Sequence, residues 1–119
     1  MYSITKTVTI SAAHQLALDR ESKCQRMHGH NWKITVTVCS ENLNDEGMVV
    51  DFQVIKDSCM LLDHRKLNDF FPQPTAEHLT TWLRFKVEGE LLDHNKDAFV
   101  SEITVEESDG NVCRLVLCE

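Results

Sequence analysis

Trp32-Lys33-Ile34-Thr35-Val36-Thr37-Val38-Cys39-Ser40 alternates apolar and polar side chains, with Trp32, Ile34, Val36 and Val38 on one parity. A period of two over this length predicts a β-strand with one face in the core. Immediately upstream stands Cys24-Gln25-Arg26-Met27-His28-Gly29-His30. If the strand is entered there, His28 and His30 project from the same face, and Gly29 between them lets the backbone bend or crowd. His14 follows the alternating run Ile4, Lys6, Val8, Ile10, so a neighbouring antiparallel strand can bring a third imidazole to the same corner. Three neutral nitrogens leave a tetrahedral metal one open position for water or substrate, the mark of a working zinc site. Cys24 has two readings from spacing alone: a reactive thiol beside that site, or a fourth ligand that closes it into a structural one.

Working outward, the first third reads as strand, loop, strand: Ser3 to Leu16, a polar connection from Ala17 to Met27, then Trp32 to Ser40. Asn44-Asp45-Glu46-Gly47 marks a turn, and Asp51 is placed to cap a helix carrying Phe52, Ile55, Cys59 and Leu62 at helical spacing and ending near Leu62. Phe71-Pro72-Gln73-Pro74 interrupts the chain, after which Thr75 caps a second helix running to about Glu90, with Ala76, Leu79, Leu83 and Val87 facing inward. Phe99 to Glu106 and Asn111 to Cys118 then form a hairpin around Ser108-Asp109-Gly110. The order ββααββ predicts an α+β fold: a four-stranded antiparallel sheet with both helices on one face. The exposed edges of such a sheet call for partners, so a homo-oligomer is expected.

At 119 residues the chain is expected to form one domain spanning 1–119. One copy is too small to enclose a deep pocket easily, and an interface between copies can supply the missing walls. A net charge of -7 argues against nonspecific nucleic-acid or anionic-membrane binding, and no stretch approaches spanning length. The amino terminus lacks the pattern of a secretory signal, which predicts a cytoplasmic protein with reduced thiols. Five cysteines without a Cys-x-x-Cys pair agree with that. Cys39, Cys59 and Cys113 fall in apolar runs and read as small buried hydrophobes. Arg20, Lys23 and Arg26 gather beside the candidate metal residues, where they either attract an anionic small molecule or simply form a solvated basic loop.

Asp63-His64 adjoins the expected end of the first helix. The pair reads either as a C-terminal cap that complements the helix dipole or as a carboxylate-oriented imidazole of the kind used in proton transfer. Glu106 and Glu107 must point to opposite faces, so at most one of them faces a pocket. His78 and His94 read as a helix residue and a loop residue without chemical duty.

Taken in order, Ser11-Ala12-Ala13-His14, Cys24-x3-His28-Gly29-His30-Asn31, Gly47-Met48-Val49-Val50-Asp51-Phe52, Leu62-Asp63-His64-x2-Leu67-Asn68, Pro74-Thr75-Ala76-Glu77 and the Glu107-Ser108 step make the chain resemble, over nearly its whole length, the 6-pyruvoyl-tetrahydropterin and 6-carboxytetrahydropterin synthase family. The three-residue spacing between Cys24 and His28 looks like the bacterial 6-carboxytetrahydropterin synthases of queuosine biosynthesis. The resemblance implies a tunnelling fold and assembly as a homohexamer with active sites between subunits. It implies Zn2+ held by His14, His28 and His30, a catalytic thiol on Cys24, a proton relay of Asp63 with His64, and substrate binding by Glu107 and Thr75. The implied substrate is 7,8-dihydroneopterin triphosphate, cleaved to 6-carboxytetrahydropterin, acetaldehyde and triphosphate. Ile10 before Ser-Ala-Ala-His, His78 and Ser108 depart from the usual residues of the family without removing any of these groups.

Overall fold

The computed structural model describes residues 1–117. Its elements are β1 (Tyr2–His14), β2 (His28–Ser40), α1 (Phe52–Met60), β3 (Arg65–Lys66), α2 (Ala76–Leu91), β4 (Phe99–Ser108) and β5 (Asn111–Val116). One five-stranded sheet runs in the order β3-β1-β2-β4-β5. The expected ββααββ order holds for the long elements; β5 ends at Val116, with Leu117 already outside the strand, and the expected end at Cys118 lies outside the described residues. No helix among them is long and apolar enough to cross a membrane.

Alternation builds the core. Val8, Ile10 and Ala12 of β1, Trp32 through Val38 at even positions of β2, and Val100, Ile103 and Val105 of β4 are all buried. They meet Ile55, Cys59, Leu79, Leu83, Val87 and Leu91 from the helices, which cover this one face. Burial pushes the Cys59 thiol up to about 12, as expected of a cysteine used as a hydrophobe, whereas Cys39 and Cys113 are only half-buried. The opposite face is polar, with Thr5 bonded to Thr37 and Thr7 to Thr35 across the strands. Asp51 Oδ1 accepts from Gln53 N at 2.8 Å and caps α1, and Thr75 Oγ1 accepts from His78 N at 3.2 Å and caps α2. Gly47 sits at φ 80° in the expected turn, a conformation that favours glycine.

Several boundaries and one face differ from expectation, among them β1 starting at Tyr2 rather than Ser3 and β4 running on to Ser108 rather than Glu106. The first strand stops at His14 instead of Leu16, and the second begins at His28 instead of Trp32, because the register His14↔His28 pairs the two histidines themselves. Helix α1 ends at Met60 rather than Leu62, although Leu62 stays buried. Phe52, placed inward by helical spacing, is largely exposed at the first turn. A fifth strand, Arg65–Lys66, pairs parallel with Ala12 and Ala13, so the sheet is not purely antiparallel. Two residues are too few to carry a periodic signal; what fixes them is the bond from His64 N to Ser11 O at 2.6 Å.

Candidate metal and catalytic site

β1 and β2 run antiparallel with His14 opposite His28 and Ala12 opposite His30. All four side chains therefore fall on the core face at the end of the sheet, and the three imidazoles converge. One ligand atom from each histidine lies within 4.8 Å of the others. The rings meet edge to face, with centroids 4.6 Å apart for His14 and His28 and 4.8 Å for His28 and His30. Trp32 backs the cluster 4.9 Å from His14, and its indole N–H is held by Ala12 O at 3.1 Å. Gly29 keeps ordinary strand geometry, and a side chain there would meet only Ala12 O, at 4.0 Å. No crowding requires a glycine at this position.

Outer hydrogen bonds set the tautomers. His14 Nδ1 lies 2.7 Å from Pro74 O, and His28 Nδ1 lies 2.7 Å from Arg26 O. A carbonyl only accepts, so in the neutral rings the proton sits on Nδ1 and the lone pair is left on Nε2, the arrangement metal-binding histidines use. Burial holds His14 below the usual imidazole range; the Pro74 carbonyl opposes that shift and the charge of His28 adds to it. The Nε2 atoms of His14 and His30 are both buried and make no well-formed hydrogen bond; His14 Nε2 has no hydrogen-bond partner, and His30 Nε2 has only Glu107 Oε1 at 3.3 Å. Leaving such a group unpaired costs about 1–3 kcal/mol. A shared cation satisfies both at once, so the residues present fit a metal.

Cys24 is not part of this group. It sits half-buried on a single 3₁₀ turn, Lys23–Gln25, capped by Ser22 with reciprocal bonds to Gln25. Asp63 and His64 are brought together, with His64 Nδ1 2.8 Å from Asp63 Oδ2. Asp63 Oδ1 also accepts from Ser11 N at 2.8 Å. The Ser11 bond and then the His64 bond hold the Asp63 carboxyl below its usual range, so it stays ionised and fixes the proton on Nδ1. His64 itself adopts φ 57°, a left-handed conformation that costs a residue with a side chain about 1–2 kcal/mol. Its side chain is 81% exposed and lines a cavity of about 520 Å³ with Ser11, Asn31, Arg65 and Lys66 that Cys24 does not reach. That cavity is also lined by His30 of the imidazole cluster.

Glu107 is half-buried at a register shift between Glu106 and Ser108, and its Oε1 lies 3.3 Å from His30 Nε2. Glu106 pairs with Lys33 and Val112 and takes the other face. Glu107 also lines a 370 Å³ cavity with Glu77, Asn111 and Cys113, close to Ala76 at the start of α2. Half-buried Thr75 keeps its hydroxyl hydrogen free, since its oxygen accepts the capping bond. Of the basic loop, Arg20 lies 3.9 Å from Asp19, while Lys23 and Arg26 share a separate cavity with Glu21. His78 bonds Gln73 O at 2.6 Å, and His94 is exposed on the far side of the helices. Sequence reasoning passed over Gln73 and gave Asn68 no task, yet both are tied to the backbone beyond His14.

A search of protein families matches residues 3–116 to 6-pyruvoyl tetrahydropterin synthase. The chain belongs to this family. Relatives include a 6-carboxy-5,6,7,8-tetrahydropterin synthase of Synechocystis, 39% identical over 99 residues that cover 74% of this chain and 76% of that protein. The enzyme of the same name from Bacillus subtilis is 27% identical over 121 residues, covering 94% and 83% of the two chains. Among solved structures, the 6-pyruvoyl tetrahydropterin synthase of Caenorhabditis elegans superposes with a TM-score of 0.75 at 24% identity, covering 98% of this chain and 96% of that one. The fold is thus that of the tetrahydropterin synthases, as the ordered motifs implied, and the family consists of lyases acting on small pterins.

Proposed function

We propose that this family member is a zinc-dependent 6-carboxy-5,6,7,8-tetrahydropterin synthase that converts 7,8-dihydroneopterin triphosphate to 6-carboxytetrahydropterin, acetaldehyde and triphosphate. It would act in the cytoplasm, in 7-deazaguanine (queuosine) synthesis. The observation that carries the metal part is the convergence of three imidazoles on the buried, unpartnered Nε2 of His14, with His28 and His30 completing the triad and Cys24 outside it. The carboxy product is favoured by the names of the Synechocystis and B. subtilis relatives.

His14, His28 and His30 would hold the zinc, which when bound lowers the pKa of substrate hydroxyls and stabilises developing oxyanion character. Cys24 Sγ takes a proton from the substrate side chain. His64, with Nδ1–H committed to Asp63, offers Nε2 to receive or return protons as the side chain rearranges. Glu107 fixes the pterin, because a carboxylate matches the adjacent amino and amide N–H groups of the ring with two parallel hydrogen bonds. The free hydroxyl hydrogen of Thr75 adds a donor at the same end of α2. Because His64 is exposed and its cavity is not lined by Cys24, the complete site is formed between subunits of a homohexamer, with His64 covered by its neighbour. Lys23 and Arg26 are the cations nearest Cys24 in sequence and are assigned a supporting role toward the triphosphate.

Incubation with 7,8-dihydroneopterin triphosphate and identification of every product tests the reading. Acetaldehyde in equal amount to a 6-carboxy pterin is expected. A 6-pyruvoyl pterin without acetaldehyde would contradict the carboxy assignment, and an unconsumed substrate would contradict the activity altogether.

A further inference from the structure

Beyond His14 the chain leaves the sheet, and residues 15–17 have no neighbouring strand, yet five of their six backbone N–H and C=O groups are bonded. Gln15 N donates to Asn68 Oδ1 at 2.9 Å, and Asn68 Nδ2 donates to Gln15 O at 2.9 Å. Two residues on, Ala17 N donates to Gln73 Oε1 at 2.9 Å, and Gln73 Nε2 donates to Ala17 O at 2.9 Å. In an extended chain, residues i and i+2 present N–H and C=O to one side and residue i+1 to the other. Two side-chain amides therefore stand in for a missing strand along one edge. On the other edge, Leu16 N donates to Cys24 O at 2.8 Å.

The amides rest on firm ground. Asn68 lies between Leu67 and Phe71, both buried. Gln73 lies between Pro72 and Pro74, whose rings fix the local backbone, and Pro74 O is the carbonyl that holds His14. The other tethers of the 3₁₀ turn that carries Cys24 are Gln15 Nε2 to Gln25 O at 3.3 Å, from the strap itself, Gln25 Nε2 to Leu18 O at 2.8 Å, just beyond it, and His28 Nδ1 to Arg26 O at 2.7 Å at the turn's end.

We propose that Asn68 and Gln73 are positioning residues that splint residues 15–17 to the core and, through Leu16, fix where Cys24 stands relative to the histidine cluster. This rests on the reading of Cys24 as the working thiol. Only a carboxamide presents a donor and an acceptor side by side. A carboxylate of the same shape loses the donor and sets an oxygen against the backbone carbonyl, so Asn68→Asp and Gln73→Glu undo the splint without removing bulk.

The test is site-resolved alkylation of the native protein by iodoacetamide, read by peptide mass, in wild type, N68D and Q73E. Cys24 is expected to react about tenfold faster in both variants, as the strap exchanges one hydrogen bond for an oxygen–oxygen repulsion at one end, while buried Cys59 keeps its wild-type rate. In turnover, kcat falls by about 10²-fold, the scale of a misplaced reacting group. A Cys24 rate that is unchanged or slower in either variant would overturn the proposal. So would a parallel rise at Cys59, which would make the amides general supports of the fold. Alkylation needs no substrate, so if wild type converts no pterin, the reaction assignment fails while the splint is still judged on its own.

Discussion

Cys24→Ala is expected to abolish turnover while leaving about one zinc per chain. The thiol lies outside the group of three histidines whose ligand atoms lie within 4.8 Å of one another, so removing it takes no nitrogen from the metal. The backbone contacts of Cys24, its amide to Ser22 Oγ and its carbonyl to Leu16 N, do not involve the sulfur. The half-buried position loses one atom at the edge of the fold, so the melting temperature stays near wild type. Loss of a positioned acid or base slows a reaction by about 10²–10⁴-fold, and that is the expected fall in kcat. The two roles for Cys24 that spacing leaves open separate here: a fourth ligand of a closed structural site would carry most of the zinc away with it.

His28→Ala is expected to do the reverse, stripping the metal first and the activity as a consequence. His28 pairs with His14 across the strands and has its Nδ1 proton committed to Arg26 O, which leaves Nε2 for the cation. Substitution of an outer hydrogen-bond partner already costs about 10–100-fold in metal affinity, and loss of a directly bound nitrogen exceeds that. Zinc content after dialysis against a weak chelator should fall from about one per chain to background. His28 suits this experiment better than His14, because it is only half-buried, whereas His14 is fully buried against Trp32 and its loss would open the core. His78→Ala, on the exposed side of α2, should leave zinc and turnover unchanged.

The sheet was legible because alternation is unambiguous where one face is buried. Trp32, Ile34, Val36 and Val38 announce β2, and the parity that buries them also sets His28 and His30 side by side. Helix starts were legible from Asp51 and Thr75, both of which cap through their side chains. Three features were not. β3 is two residues long and owes its place to Asp63 and His64 bonding Ser11, a contact 52 residues away along the chain in the case of the Asp63 carboxylate. The inward placing of both Val100 and Ile103, three residues apart, depends on a register shift opposite Thr37 and Val38 that alternation alone does not predict, after which Glu107 simply continues the face of Ile103 and Val105. Asn68 and Gln73 act on backbone groups more than fifty positions distant, and a side-chain amide in a loop carries no local sign of which backbone it will bind. The candidate metal residues were readable because their chemistry is rare and their spacing matches the strand period; the elements that support them became visible only in the folded chain.

X-ray absorption at the zinc edge of the purified, unchelated protein tests the central claim most directly. The account predicts three nitrogen scatterers and one light exchangeable ligand, with no sulfur. A sulfur at about 2.3 Å, the ordinary zinc–thiolate distance, or the absence of zinc altogether, would contradict it.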